Sequence, residues 1–285
     1  MRRTIACRTH TRFASAPRSS PTCACITACA TAISRRPCSS WAVRCGTSAS
    51  ESGRADAARG LERVARAIVR CRLCPRLVAH RELVARSKRR QFRDQTYWGR
   101  PLAGFGDPAA RLLIVGLAPA AHGGNRTGRM FTGDQSGDWL FRALHEAGFA
   151  NQAHSVSCDD GLVLRDAYVT AAARCAPPDN KPSVGELERC RPYLLRERAL
   201  LVRVRVVVAL GRVAFATVLA TERARGTALP RPLPRFAHGA VTALGQLTLI
   251  ASYHPSRQNT QTRKLSRAML ASVFARARRC VEADA

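Results

Sequence analysis

The sequence predicts an α/β protein, a three-layer fold in which a four-stranded parallel sheet carries helices on both faces. Two observations predict it. Four short apolar runs, Leu112–Val115, Tyr168–Ala173, Val204–Leu210 and Leu247–Ala251, have the length and continuity of strands buried on both faces. The segments between them carry apolar residues at helical spacing, and strict strand–helix alternation argues for parallel pairing. A third feature follows from the first two. The loops after three of the runs are dense in polar residues, and in a parallel sheet they emerge on one edge, where ligands bind.

Taken in order, the chain opens with a segment unlike the rest. Eight arginines and no acidic residue precede Glu51, with Ser, Thr, Ala and Cys between them and no apolar periodicity. Residues 1–55 read as a disordered basic N-terminal extension, a mis-assigned start or idle tail being favoured over a transit peptide. Residues 56–285 read as the folded domain. Leu61, Val64, Ala65, Ile68 and Val69 form one helical face that runs into Cys71-Arg-Leu-Cys74-Pro75. Arg81 to Arg93 is strongly basic, with Phe92, Tyr97 and Trp98 close by, and fits either a solvated helix face or a DNA-backbone track. After the first strand, Gly116 to Asp134 holds five glycines and is longer than turn chemistry requires. A helix then starts with Asp134 or Ser136 as its cap. Ala176 to Pro182 is a stiff turn, and Ser183 caps a helix over 184–200. Gly211 opens a helix through Leu219, and residues 223–234 form a Pro- and Arg-rich excursion. The last strand delivers Ser252 to Asn259 before a terminal helix from Thr262 to Cys280.

Composition narrows the partners. The formal charge is +28, of which +20 belongs to residues 51–285, so the body is basic in its own right. Nucleic acid leads as the partner, ahead of an anionic membrane surface, although a GC-rich genome inflates Arg and Ala together. No apolar run approaches the ~18 residues that a membrane span requires. The long loop matches neither the phosphate-loop lysine pattern nor G-x-G-x-x-G, which excludes a nucleotide cradle of the usual kinds.

The cysteines divide into two groups. Those before residue 50 show no defensible ligand spacing. Cys71 and Cys74 form a C-x-x-C at a helix end, and Cys175 and Cys190 are the candidate partners. A close pair, a long gap and a loose pair suit a [4Fe–4S] cluster best, with zinc and unligated thiols as alternatives. A redox dithiol at Cys71 and Cys74 is a further reading.

Three polar residues stand out on the strand-end loops. Asp134 fits a catalytic carboxylate or a helix cap. Asn180, in a Pro-Pro-Asp-Asn turn, fits a ligand contact or a satisfied turn residue. His254, in a His-Pro pair after a strand, fits a functional imidazole. With Phe131, which fits either the core or, in its polar loop, exposure for stacking, they are the parts needed to hold a flat heterocycle and deliver water beside it.

Three stretches, GLAPAAHGGNRTGRMFTGD (Gly116–Asp134), TAAARCAPPDNKP (Thr170–Pro182) and SYHPSRQNTQT (Ser252–Thr262), resemble the family 5 (type b) uracil-DNA glycosylases. The resemblance covers roughly Leu61 to Val281. It implies a uracil-DNA-glycosylase-like fold and a monofunctional enzyme that flips uracil, and often hypoxanthine or xanthine, out of duplex DNA and excises it. It implies a [4Fe–4S] cluster on Cys71, Cys74, Cys175 and Cys190, and catalytic roles for Asp134, Asn180 and His254. Gly116, Leu117, Ala118 and Phe131 are then expected at the base. Arg126, Arg129 and Arg257 are expected on phosphates, and Gln258 and Asn259 lie in a wedge over Pro255–Thr260. Leu117, where the related family 4 has an acidic residue, and Ala171, where it has an asparagine, favour family 5 and a looser pocket. Arg263 stands where the resemblance leads to an expected glycine. The whole reading is of a monomeric, cytoplasmic, bacterial repair enzyme, the competing class being a non-catalytic iron–sulfur nucleic-acid-binding protein.

Overall fold

The computed structural model describes residues 48–283. Its elements in chain order are α1 (Ser48–Val69), α2 (Pro75–Ser87), β1 (Phe105–Gly106), β2 (Leu112–Gly116), α3 (Gly124–Thr127), α4 (Gln135–Glu146), β3 (Ala167–Ala171), α5 (Val184–Leu200), β4 (Val206–Leu210), α6 (Arg212–Ala224), β5 (Val241–Leu244), β6 (Leu247–Ser252), α7 (Arg257–Gln261) and α8 (Arg267–Ala283). Of the expected disordered extension over 1–55, residues 1–47 lie outside the described residues. Residues 48–55 are helical and open α1, so that boundary moves towards the N-terminus. Residues 51–285 form one compact unit that contains the sheet.

Among the described residues the sheet has six strands in the order β1-β3-β2-β4-β6-β5, not the four expected. The four expected strands are its parallel centre, β3-β2-β4-β6. The two additions are antiparallel edges. β1 is two residues long, below the reach of any period, and β5 alternates exposed and covered positions in a hairpin with β6. β2, β3 and β4 are buried at every position, which is why they read as continuous apolar runs.

Alternate residues of the strands serve opposite layers. Leu112, Ile114, Val169, Val206, Val208 and Ile250 face a core filled by Leu140, Phe141 and Leu144 of α4 and by Leu270, Val273 and Phe274 of α8. Leu113, Val115, Tyr168, Val207 and Leu249 face a second core with Leu61 of α1, Leu194 of α5, and Ala214, Phe215 and Val218 of α6. Helices on both faces are thus confirmed.

A buried ion pair ties the second layer to the sheet. Arg174, just past β3, and Glu197 of α5 are both about 1% exposed and meet through two hydrogen bonds of 3.0 and 2.7 Å. Thr170 Oγ1 and the Gly104 N–H also donate to the Glu197 carboxylate. The terminal helix begins later than expected, at Arg267. Arg263 adopts a left-handed φ of +58°, which breaks the helix into α7 and α8 and accounts for the expected glycine.

Glu197→Ala leaves a buried guanidinium uncompensated and should lower unfolding stability by about 3–5 kcal/mol. Arg174→Met combined with Glu197→Leu should cost less than Glu197→Ala alone, as read from denaturant midpoints.

Candidate active site

In the order β3-β2-β4-β6, β2 connects to β3 on one side while β4 lies on the other, so the chain reverses direction at β2/β4. That switch point is where an open sheet forms its crevice. The registers align the carboxyl ends: Gly116 pairs with Ala171, Val115 with Ala209, and Leu210 with Ser252.

Two of the expected site loops meet there. The rings of Phe131 and His254 stack, with centroids 5.8 Å apart and planes inclined by 29°. The end of the Phe131 ring lies on the backbone of Gly116, where a Cβ would come within 2.5–2.7 Å of it, so only glycine fits beneath. Gln135 Nε2 donates to Thr260 Oγ1 at 3.2 Å, joining the start of α4 to α7. Asp134 and His254 therefore belong to loops in direct contact on one edge.

Each expected residue has a definite place. Asp134 caps α4, its Oδ1 accepting from the Gly137 N–H at 3.0 Å. Its other oxygen lies over Gly123, where any Cβ would run into the carboxylate. Burial raises its pKa above the usual carboxylate value, opposed by the N–H groups of Gly137 and Ser136 and by Arg126. Burial also pushes His254 down to about 4, so its imidazole is neutral at physiological pH. Asn259 Nδ2 holds the His254 carbonyl at 2.8 Å. The carbonyls of Gly116 and Leu117 accept from Ala172 and Ala173, and Leu117 and Ala118 remain partly exposed above the sheet.

Three expectations are corrected. Phe131 is buried at 8% exposure, not open for stacking, because Gly116 and His254 cover it; it also adopts a left-handed φ of +52°. Arg126 is held by the carbonyls of His122 and Gly133 and by Gln95, with its guanidinium 4.0 Å from the Phe92 ring centroid. Arg129 is buried in an ion pair with Asp160 at 2.8 Å and bonds to Thr132 and Ser155. Both arginines pin the loop and are not free for phosphate. In the Arg81–Arg93 stretch Arg86, Arg89, Arg90 and Arg93 are exposed, as either reading requires, while Arg81 is buried and the Tyr97 hydroxyl bonds to His122 at 3.1 Å. By contrast, Arg257 and Gln258 are exposed on α7, a capped helical turn where a loop was expected.

Asn180 is not brought to the cluster. It lies exposed at the end of a short 3-10 turn, Pro178–Asn180, where both it and Asp179 have positive φ. Sequence reasoning also missed Gly123, the seat of Asp134. The doubled glycine at 123–124 was the signal available.

The four cysteines lie near one another where α2, the end of β3 and α5 meet. Cys74 and Cys175 pack together around Leu77. Cys190 interacts electrostatically with Cys71, Cys74 and Cys175. Arg76 and Glu186 form a two-bond pair that docks α2 on α5 beside them. Arg81, 2% exposed, donates from Nη1 to Cys175 Sγ at 2.8 Å and leaves its Nε without a partner. Burial raises Cys175 to about 11. Among the described residues no three Cys, His, Asp or Glu side chains are arranged to hold a single metal ion.

Comparison with known proteins adds three findings. The profile of the Uracil DNA glycosylase superfamily matches residues 103–278. The type-5 uracil-DNA glycosylase of Thermus thermophilus is 53% identical over 210 residues, covering 73% of this chain and 93% of that one. Pyrobaculum aerophilum offers a contrast within one organism. Its type-5 uracil-DNA glycosylase is 47% identical over 210 residues (74% of this chain, 88% of that one), whereas its type-4 enzyme is 28% identical over 154 residues (54% and 70%).

The depressed His254 has a consequence for stability. The unfolded chain binds its proton near pH 6.5 and the folded chain only near 4, so folding loses stability as pH falls through that interval. Denaturant midpoints measured from pH 7 to 4 should fall more steeply for the native protein than for His254→Gln, and the two should run parallel above pH 7.

Proposed function

The chain belongs to the uracil DNA glycosylase superfamily, and from that premise we propose that it is a type-5 uracil-DNA glycosylase that flips uracil from damaged DNA and excises it, leaving an abasic site. The observation that carries the reading is the stack of His254 on Phe131 beside Asp134 at the sheet's switch point. Rotating a base out of the stack costs a few kcal/mol, least for a U·G mismatch, which biases the enzyme towards deaminated sites.

Cleavage of the N-glycosidic bond leaves positive charge on the sugar and negative charge on the departing base. Asp134, fixed by its cap bond to Gly137, orients the attacking water and offsets the cation. His254, kept neutral by the desolvating surroundings of its ring, donates a ring N–H hydrogen bond to the base oxygen where negative charge grows. Such a donor is worth about 3 kcal/mol. Phe131 serves as the floor that sets the imidazole, and Leu117 and Ala118 line the approach. Asn180, on the exposed turn at the same edge, holds the water or the base edge once DNA packs against it. Ala171 pairs with Gly116 in the strand register and fills little space there, which suits hypoxanthine and xanthine as well as uracil. Of the surface side chains, Arg257 takes a phosphate and Gln258 and Asn259 form the wedge. The protein acts as a monomer on duplex DNA in the bacterial cytoplasm.

We further propose that Cys71, Cys74, Cys175 and Cys190 hold a [4Fe–4S] cluster. The fit rests on Arg81, a buried cation aimed at the thiols with one nitrogen unpartnered, which an anionic cluster would satisfy. A cubane is wider than one ion, so four sulfurs need not close on a single point. Cys74 at the start of α2, Cys175 after β3 and Cys190 of α5 would hold it, and a cluster bound there would staple these elements together with no redox step required.

In single-turnover excision from a U·G duplex, Asp134→Asn and His254→Ala should each lose about 10²-fold or more in rate. Near-native rates for both would overturn the assignment. The acid limb of excision should lie above the ordinary carboxylate range, because protonating Asp134 removes its charge.

Purified protein should contain iron and show a broad absorption shoulder near ~400 nm that Cys190→Ser removes. A colourless, iron-free protein that still excises uracil would refute the cluster.

A further inference from the structure

With Arg126 and Arg129 bound internally, the grip on the DNA backbone has to come from elsewhere. His254 borders a cleft of about 260 Å³, lined also by Arg212, Phe236, Tyr253, Asn259 and Lys264. Neither Phe131 nor Asp134 lines it, and it adjoins the place assigned to the extruded base through His254. Its wall is aromatic and braced. The rings of Tyr253 and Phe236 lie 6.0 Å apart. Phe215 backs Phe236 at 5.7 Å, and His238 stacks on Tyr253 at 5.1 Å and 22° while accepting the Tyr253 N–H.

Two exposed cations stand at its rim. Lys264 Nζ lies 4.9 Å from the Tyr253 ring centroid, and Arg212 opens α6. Neither is ion-paired among the described residues. A positive rim over flat aromatic faces is the chemistry that single nucleic-acid strands meet, the phosphate going to the cations and the base to a ring.

We propose that this cleft holds the nucleotide adjoining the extruded one, its phosphate between Arg212 and Lys264 and its base against Tyr253 and Phe236. The proposal rests on the glycosylase reading. Two consecutive nucleotides then share His254 as their common wall. A strand held at the second of them keeps the first from sliding back into the stack while the bond breaks.

The test begins with native excision of uracil from a U·G duplex, which judges the glycosylase reading by itself; its failure takes this proposal with it. Half-saturating protein concentrations are then measured between 50 and 200 mM salt for Arg212→Gln, Lys264→Gln, the double variant and Arg223→Gln, an exposed arginine at the far end of α6. Each cleft substitution should weaken half-saturation several-fold at low salt and flatten the salt dependence by about 0.9 for each phosphate no longer neutralised, whereas Arg223→Gln should not. Replacing single phosphates around the uridine by neutral methylphosphonates should reveal one position that costs the native protein several-fold and the double variant nothing. An active native enzyme with unchanged salt slopes would overturn the proposal. So would equal sensitivity of both proteins at every phosphate. A change in preference between uracil and hypoxanthine without a change in salt slope would overturn it too, by making the cleft the base pocket.

Discussion

The ion pair between Arg174 and Glu197 is the constraint from which the working edge of the molecule follows. Both side chains are buried, and the carboxylate also takes the Thr170 hydroxyl and the Gly104 N–H. Removing two charges from water costs several kcal/mol per ion, which their attraction roughly offsets, so the pair is better understood as setting register than as adding stability. It fixes the height at which the chain leaves β3 against α5. Cys175 is the next residue, and Cys190 lies two helical turns before Glu197, on the same face. One buried contact thereby brings together two cysteines that are fifteen positions apart in sequence.

The same register reaches the reactive side. β3 pairs with β2 so that Ala171 stands beside Gly116, and on Gly116 rests Phe131. The aromatic residue adopts a left-handed backbone, a conformation that costs an L side chain on the order of 1–2 kcal/mol. The surrounding structure overrides that cost: Gly137 leaves room for the Phe131 carbonyl, Gly116 for its ring, and Gly123 for the carboxylate three residues on. Strain held in this way by close backbone approach keeps the loop in one conformation before any substrate arrives.

The central strands were legible because each is buried on both faces and so writes an unbroken apolar run. The caps Asp134 and Ser183 were legible because their bonds are local. β1 and β5 were not, one being too short for a period and the other a half-exposed edge. Phe131 was misread because a polar neighbourhood in sequence suggests exposure, whereas its cover comes from His254, over a hundred residues later. Asp134 was framed as either a cap or a catalytic group; one oxygen caps while the other lies over Gly123, so the cap by itself does not use up the carboxylate. Arg126 and Arg129 were misread for a further reason. A guanidinium offers five donors in a rigid fork, so it can satisfy several loop acceptors at once, and nothing local in sequence separates that use from phosphate contact.

Their misreading does not remove them from the chemistry. Arg129 is neutralised by Asp160, but the polar partners of Arg126 are two carbonyls and an amide oxygen, none of which carries charge. Its positive charge thus stays uncompensated within the loop, close enough to Asp134 to favour the ionised carboxylate against the pull of burial. Burial works against the charge that the proposed role of Asp134 requires. The N–H groups of Gly137 and Ser136 restrain that shift most, and the immobile Arg126 adds to them, against the like charge of Asp138, without forming a contact ion pair that would block the carboxylate. A charge read from sequence as a handle for DNA acts instead as a fixed field on a buried carboxylate.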